Sequence, residues 1–211
     1  MPHSADDNAA VRVLSASDPV LARVIARIGA CSLQLDDASE LFPAVLRSII
    51  FQQLHTKAAT AIHARVIALM PNANATALQA LPDASLCSAG LSRNKLLALR
   101  DLAGRTSDGT VPTAAAAAEL SDDELIARLT KVRGVGLWTV QMLLIFHLGR
   151  PDVMPAGDFG IRKAFSLLYR RGRPVKPEAI LRHARRWQPH RSVASWYLWR
   201  SLDPVPSPEN S

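Results

Sequence analysis

The residue best placed for chemistry is a single acid. Asp158 closes the run Met154-Pro-Ala-Gly-Asp, twenty-two residues after Gly136, and opens an apolar-patterned segment. A carboxylate at a helix start can cap the first turn and still direct an oxygen at a reacting group. Upstream lies Leu129-Thr-Lys-Val-Arg-Gly-Val-Gly-Leu-Trp-Thr-Val. There Gly134 and Gly136 permit backbone geometry that a Cβ would obstruct. They predict a tight hairpin between two helices, with N–H groups exposed at a helix start, where they can hold a phosphate. A phosphate grip followed by one acid points to chemistry on a nucleic acid. Each feature also has a plainer reading: Gly-x-Gly as a helix end and turn, Asp158 as a cap alone. Asp152, the competing acid, lies before the loop and is expected to face solvent.

Helices must position these residues, because strand-like alternation is missing and Ala and Leu dominate. Residues 1 to 16 read as a loose arm. Asp18-Pro19 starts a helix running to about Gly29. Further helices are expected from about Ser39 to the low fifties, Thr56 to Leu69, Asn74 to Leu81, Asp83 to Ala89, and from a Ser92 cap through Ala103. The alanine run Ala114 to Ala118 is a helical fragment or surface linker. Ser121-Asp-Asp-Glu124 is a capping box opening the first hairpin helix, and Leu137 to Leu148 is the second. Asp158 to Arg170, Pro177 to Trp187 and Arg191 to Leu202 complete an all-α set. The tail from Asp203 to Ser211 holds three prolines and reads as flexible.

The balance of 25 basic against 18 acidic residues gives a net charge of +7, which suits a polyanionic partner. The charge is uneven. Phe159 to Leu202 carries eleven Arg and Lys against Glu178 alone, whereas Met1 to Ile50 has four Arg against six acids. A solvated helical surface would explain such a bias equally well. Cys31 and Cys87 form neither a metal-ligand spacing nor a disulfide framework, so a reduced, cytoplasmic setting is expected. The N-terminus lacks signal-peptide character. The apolar stretch from Leu137 to Leu148 is interrupted by Gln141 and His147 and is too short to span a bilayer.

The hairpin, the Pro/Gly–Asp loop and a third segment, Ser48-Ile-Ile-Phe-Gln-Gln-Leu-His-Thr-Lys-Ala-Ala59, occur in the order found in the helix-hairpin-helix/Gly-Pro-Asp superfamily of DNA glycosylases. Over about residues 40 to 202 the chain resembles the 3-methyladenine-DNA glycosylase II type, in a compact form without an additional N-terminal β-domain. The resemblance implies two helical lobes flanking a cleft, about 31–146 and 17–30 plus 147–202. It implies hydrolysis of the N-glycosidic bond of a flipped-out alkylated purine in double-stranded DNA, by a monomer. Asp158 takes the place of the catalytic acid. Trp138, Met142, Phe159, Trp199 and Gln53 take base-pocket positions, although each of the three aromatic residues taken alone reads as core, with Met142 standing where one branch of the family has an aromatic residue. Leu54 takes the position of the apolar wedge inserted into the base stack.

The resemblance puts phosphate contacts on Gly134, Gly136, Thr139 and Lys131, and on Ser92 and Lys95, which a capped surface helix would explain equally well. Arg162, Lys163 and Arg191 are added on charge alone. His55, where a small polar residue is usual, is expected near the DNA backbone or the opposite strand and takes no catalytic part. The carbonyls of Thr130, Val132 and Val135 are positioned as in family members that hold a monovalent cation. No iron–sulfur cluster is expected, since no four-cysteine loop follows the catalytic helices. Trp187 and Trp196 read as packing. A bifunctional glycosylase/lyase would need a lysine nucleophile near the hairpin, and Trp138 stands in its place. A non-catalytic DNA-binding protein, with Asp158 only a cap, is the other alternative.

Overall fold

In the computed structural model, the backbone is described for residues 4–36 and 40–204, with side chains from residue 9 onward. All regular structure among them is helical. The chain divides into two compact units, one inner in the sequence, 36–148, and one outer in the sequence, 1–35 with 149–211.

The inner unit carries α3 (Leu41–Phe51), α4 (Thr56–Ala68), α5 (Ala75–Ala80), α6 (Asp83–Ser88), α7 (Arg93–Ser107), α8 (Ala114–Glu119), α9 (Asp122–Leu129) and α10 (Leu137–Phe146). Helix starts follow the local chemistry. Asn74, Ser92, Thr113 and Ser121 each accept a backbone N–H of the first turn of the helix they precede, and Ser121 with Glu124 forms the full capping box. The alanine run is thus a true helix, α8. Leu46, Ile49 and Ile50 of α3, Leu99 and Leu102 of α7, Leu125 and Leu129 of α9, and Val140 and Leu144 of α10 are buried. Each such side chain contributes about 1.5–3 kcal/mol of hydrophobic stabilisation, so the hairpin rests on a fixed base.

The outer unit is built from α1 (Ser4–Ser17), α2 (Pro19–Ile28), α11 (Phe159–Arg170), α12 (Pro177–His183) and α13 (Arg191–Arg200). The expected N-terminal arm is instead α1. Ala10 and Leu14, one turn apart, are buried in the core shared with α2 and α13. The first half of α1, with Asp6, Asp7 and Asn8, has little apolar pattern, so only packing reveals the helix. The helix expected over Pro177 to Trp187 ends at His183 and tightens to a 3-10 turn over Ala184–Trp187.

Trp187 Nε1 donates at 3.1 Å to Asp18, which is only 1% exposed. The same carboxylate oxygen accepts the Tyr169 hydroxyl at 2.9 Å and lies 2.9 Å from His183 Nε2. Its other oxygen caps α2 through Val20 and Leu21. Burial pushes the Asp18 pKa up, but the hydrogen bonds from His183, the Leu21 amide, Tyr169 and Trp187 outweigh it and hold it at about 2. Trp187 and Trp196 are packing residues, as expected. The tail reading falls mostly outside the described residues. Asp203, at its start, pairs with Arg200 at 3.2 Å.

Candidate active site

Asp158 is the N-cap of α11. Its Oδ1 accepts the Ile161 amide at 2.9 Å and the Trp199 indole N–H at 2.8 Å. Two serines of α13 pin the loop leading to it. Ser192 Oγ donates to the Arg150 carbonyl at 2.6 Å and accepts the Val153 amide at 3.0 Å, while Ser195 is buried against Met154. Asp152 takes Arg191 in a two-point ion pair, at 2.7 and 2.9 Å. Asp152 therefore fastens the loop to α13 rather than facing solvent, and Arg191 is committed to that pair rather than to phosphate. Arg162 reaches the Val175 carbonyl at 3.3 Å, and Lys163 is exposed.

Gly160 makes the Trp199–Asp158 contact possible. A Cβ at this position would stand 2.9 Å from Trp199 Cδ1 and 3.1 Å from Asp158 Oδ1. Sequence reasoning missed Gly160, whose signal was a glycine inside a helix, a position that costs about 1 kcal/mol against alanine. Phe159, beside the acid, is 79% exposed. A large aromatic side chain so open to solvent at a helix start is no core residue. It and Trp199 flank Asp158 in the outer unit.

In the inner unit, Gln53, Trp138 and Met142 come together, with Arg47, Phe51 and Thr139, around a cavity of about 520 Å³. Trp138 is 51% exposed, which excludes the core reading of that residue. Gln53 has φ +56°, a left-handed conformation that costs a side-chain-bearing residue about 1 kcal/mol or more. It follows Gln52, the C-cap of α3, and leads to Leu54, which is exposed at the following turn, with His55 as the N-cap of α4. The two glutamines differ in role. Gln52 donates to the Gly134 carbonyl at 2.9 Å and so braces the hairpin, a role the sequence did not disclose. Asp101, also unnoticed in the sequence, accepts the Arg133 amide at 2.7 Å from α7.

The hairpin turn spans residues 130–136, anchored by the buried Val132 and Val135. Gly134 has φ +78° and needs to be glycine. Gly136 does not, on backbone grounds, since its φ is −99°. Nothing lies within 4 Å of where its Cβ would be, so the start of α10 is open to close approach. Lys131 is exposed on the same turn, while the Thr139 side chain is buried against the cavity. Any contact of Thr139 with phosphate therefore falls to its amide.

Lys95 is corrected. Its ammonium caps the end of α3, donating to the carbonyls of Ile50 and Gln52, and burial pushes its pKa down. It supports the Gln-Gln turn and does not stand out toward a phosphate. Ser92 is occupied as the N-cap of α7, accepting the Lys95 amide at 3.4 Å.

Comparison with known proteins agrees with this geometry. Residues 46–190 match the model of the HhH-GPD superfamily base excision DNA repair proteins. DNA-3-methyladenine glycosylase 1 of Schizosaccharomyces pombe is 38% identical over 168 residues, 78% of this chain and 74% of the relative. The structure of the S. pombe 3-methyladenine DNA glycosylase Mag1 in complex with abasic DNA superposes with a TM-score of 0.77 at 34% identity, covering 91% of this chain and 95% of that one. A DNA-3-methyladenine glycosidase from Bacillus halodurans reaches 0.84 at 30% identity, covering 91% and 88%. The all-helical architecture of the described residues is thus that of a known repair fold, and the chain belongs to the HhH-GPD superfamily of base excision DNA repair proteins.

Proposed function

We propose that this protein is a monofunctional DNA glycosylase that releases alkylated purines of the 3-methyladenine and 7-methylguanine type and leaves an abasic site. The observation that carries the reading is Asp158, a carboxylate with one oxygen fixed by two N–H donors at a helix start. Relatives named as 3-methyladenine glycosylases support the substrate class.

An N-glycosidic bond to an alkylated purine breaks with positive charge developing on the deoxyribose. A fixed carboxylate stabilises that charge and orients water at C1′. Cationic bases are good leaving groups and need little protonation, so one acid suffices where sugar hydrolases use two. The base must leave the duplex. Leu54 fills the opened step, and the cavity beside Trp138 offers a π-face to an electron-deficient base. Gly134, Gly136, Lys131 and the Thr139 amide hold the backbone phosphates. Thr130 ends α9, where carbonyls lack intrahelical donors. Oxygens of this kind suit a monovalent cation, which Thr130, Val132 and Val135 would hold next to a phosphate. The reading includes a monomer working in the cytoplasm without an iron–sulfur cluster.

The test is release of free base from duplexes bearing single defined lesions, run with borohydride present. Release of methylated purines without a trapped adduct, and strand breaks only after alkali, is expected, because a lyase needs an amine that forms a Schiff base. An efficient borohydride adduct would place the protein among the bifunctional enzymes. No release from any alkylated purine would leave it a DNA-binding protein only.

A further inference from the structure

Five of the eleven Arg and Lys between Phe159 and Leu202 gather in one region of the outer unit. Arg170, Arg182 and Arg186 line a cavity of about 470 Å³ together with Tyr169 and His183. An adjoining hollow of about 260 Å³ shares Tyr169 and Arg170 and adds Arg171 and Arg173. No carboxylate lines either hollow. Helix-end charge accounts for Arg170 and Arg182 singly, since each lies in the last turn of its helix. It does not account for the gathering of five arginines around two hollows that share Tyr169 and Arg170.

The floor is built as well. Tyr169 and His183 are both held by the buried Asp18, and Phe165 stacks on Tyr169 at 4.5 Å. Arg171 adopts φ +51°, the left-handed position ending α11 that glycine favours, although Gly172 is the next residue. An arginine is placed there despite the backbone cost. Guanidinium groups pair with phosphate oxygens through two parallel N–H donors, and two joined hollows sharing one arginine suit two linked phosphates.

We propose that this paired hollow is a second anion site, which takes a chain of two linked phosphates across Arg170. Two sources supply that chemistry: the phosphodiester backbone of DNA and a soluble diphosphate.

The experiment titrates inorganic pyrophosphate into the full chain and follows arginine Nε–H resonances. It compares wild type with R170A/R182A and with R185A, which removes the same kind of charge from an exposed residue that lines neither hollow. The substituted side chains are exposed, and R182Q serves as a milder variant. The expected result is a saturable shift that weakens about tenfold or more in R170A/R182A and less than about twofold in R185A, with R182Q between them. A weak, unsaturable response equal in all proteins, or equal loss in R185A, would overturn the proposal. An undamaged duplex is then added to the pyrophosphate-loaded wild type. Reversal of the shift assigns the site to the DNA backbone, and persistence assigns it to a soluble diphosphate.

Discussion

Asp158→Asn separates the two duties that Asp158 performs at one position. The amide oxygen of asparagine can still accept the Ile161 amide and the Trp199 indole, now at 2.9 and 2.8 Å. Asparagine is also as good an N-cap as aspartate. Stability should therefore change by under about 0.5 kcal/mol, or about 2 °C for a chain of this size. What disappears is the negative charge. Removing one pre-positioned electrostatic group from a reacting centre costs about 2.7–4 kcal/mol, a factor of about 10²–10³ in rate.

Asp158→Ala behaves differently, because it also removes the cap, worth about 1 kcal/mol, and leaves the indole N–H without its acceptor. A loss of about 1–3 kcal/mol and about 3–10 °C is expected. Single-turnover release of 3-methyladenine, beside thermal unfolding of the three proteins, resolves the pattern. Asparagine should be stable and nearly inactive, alanine unstable and nearly inactive. If Asp158→Asn excises within about threefold of wild type, Asp158 is a cap alone and the chemistry lies elsewhere.

Gly160→Ala places a methyl group against the indole that holds Asp158. Excision should fall about tenfold with stability altered by under about 1 kcal/mol, and an unchanged single-turnover rate would show that the Trp199 contact is dispensable. Leu54→Ala should slow excision from a fully paired duplex about tenfold more than from an unstable mismatch, because a weak stack demands less of a wedge; equal losses would make Leu54 a packing residue. The Asp18 pKa is depressed from 3.8 to about 2 in the fold, so its contribution is present above about pH 4 and lost as the pH falls toward 2. Between pH 5 and 2, urea unfolding should show wild type losing about 2 kcal/mol more than Asp18→Asn, and parallel losses would refute that account.

Much of the molecule was legible from the chain alone. Helix starts were readable because caps are local: a serine, threonine, asparagine or aspartate binds an amide two or three residues on, whatever surrounds it. Family membership was readable because three short motifs keep their order, and the cap at Asp158 because it binds an amide three residues on. What failed or stayed hidden depends on partners distant in sequence. The amine of Lys95 is spent on carbonyls more than forty residues away, and Arg191 is spent on Asp152, so charge alone misread both. The helix over Ser4–Ser17 exists because Ala10 and Leu14 find a core made largely by C-terminal residues. Gln52 and Gln53 look equivalent in sequence, yet one braces the hairpin and the other turns the chain. Local hydrogen bonding and apolar period were written in the sequence. Which charged group remains available to a ligand is set by the long-range contacts that consume the others, and only the tertiary structure decided that.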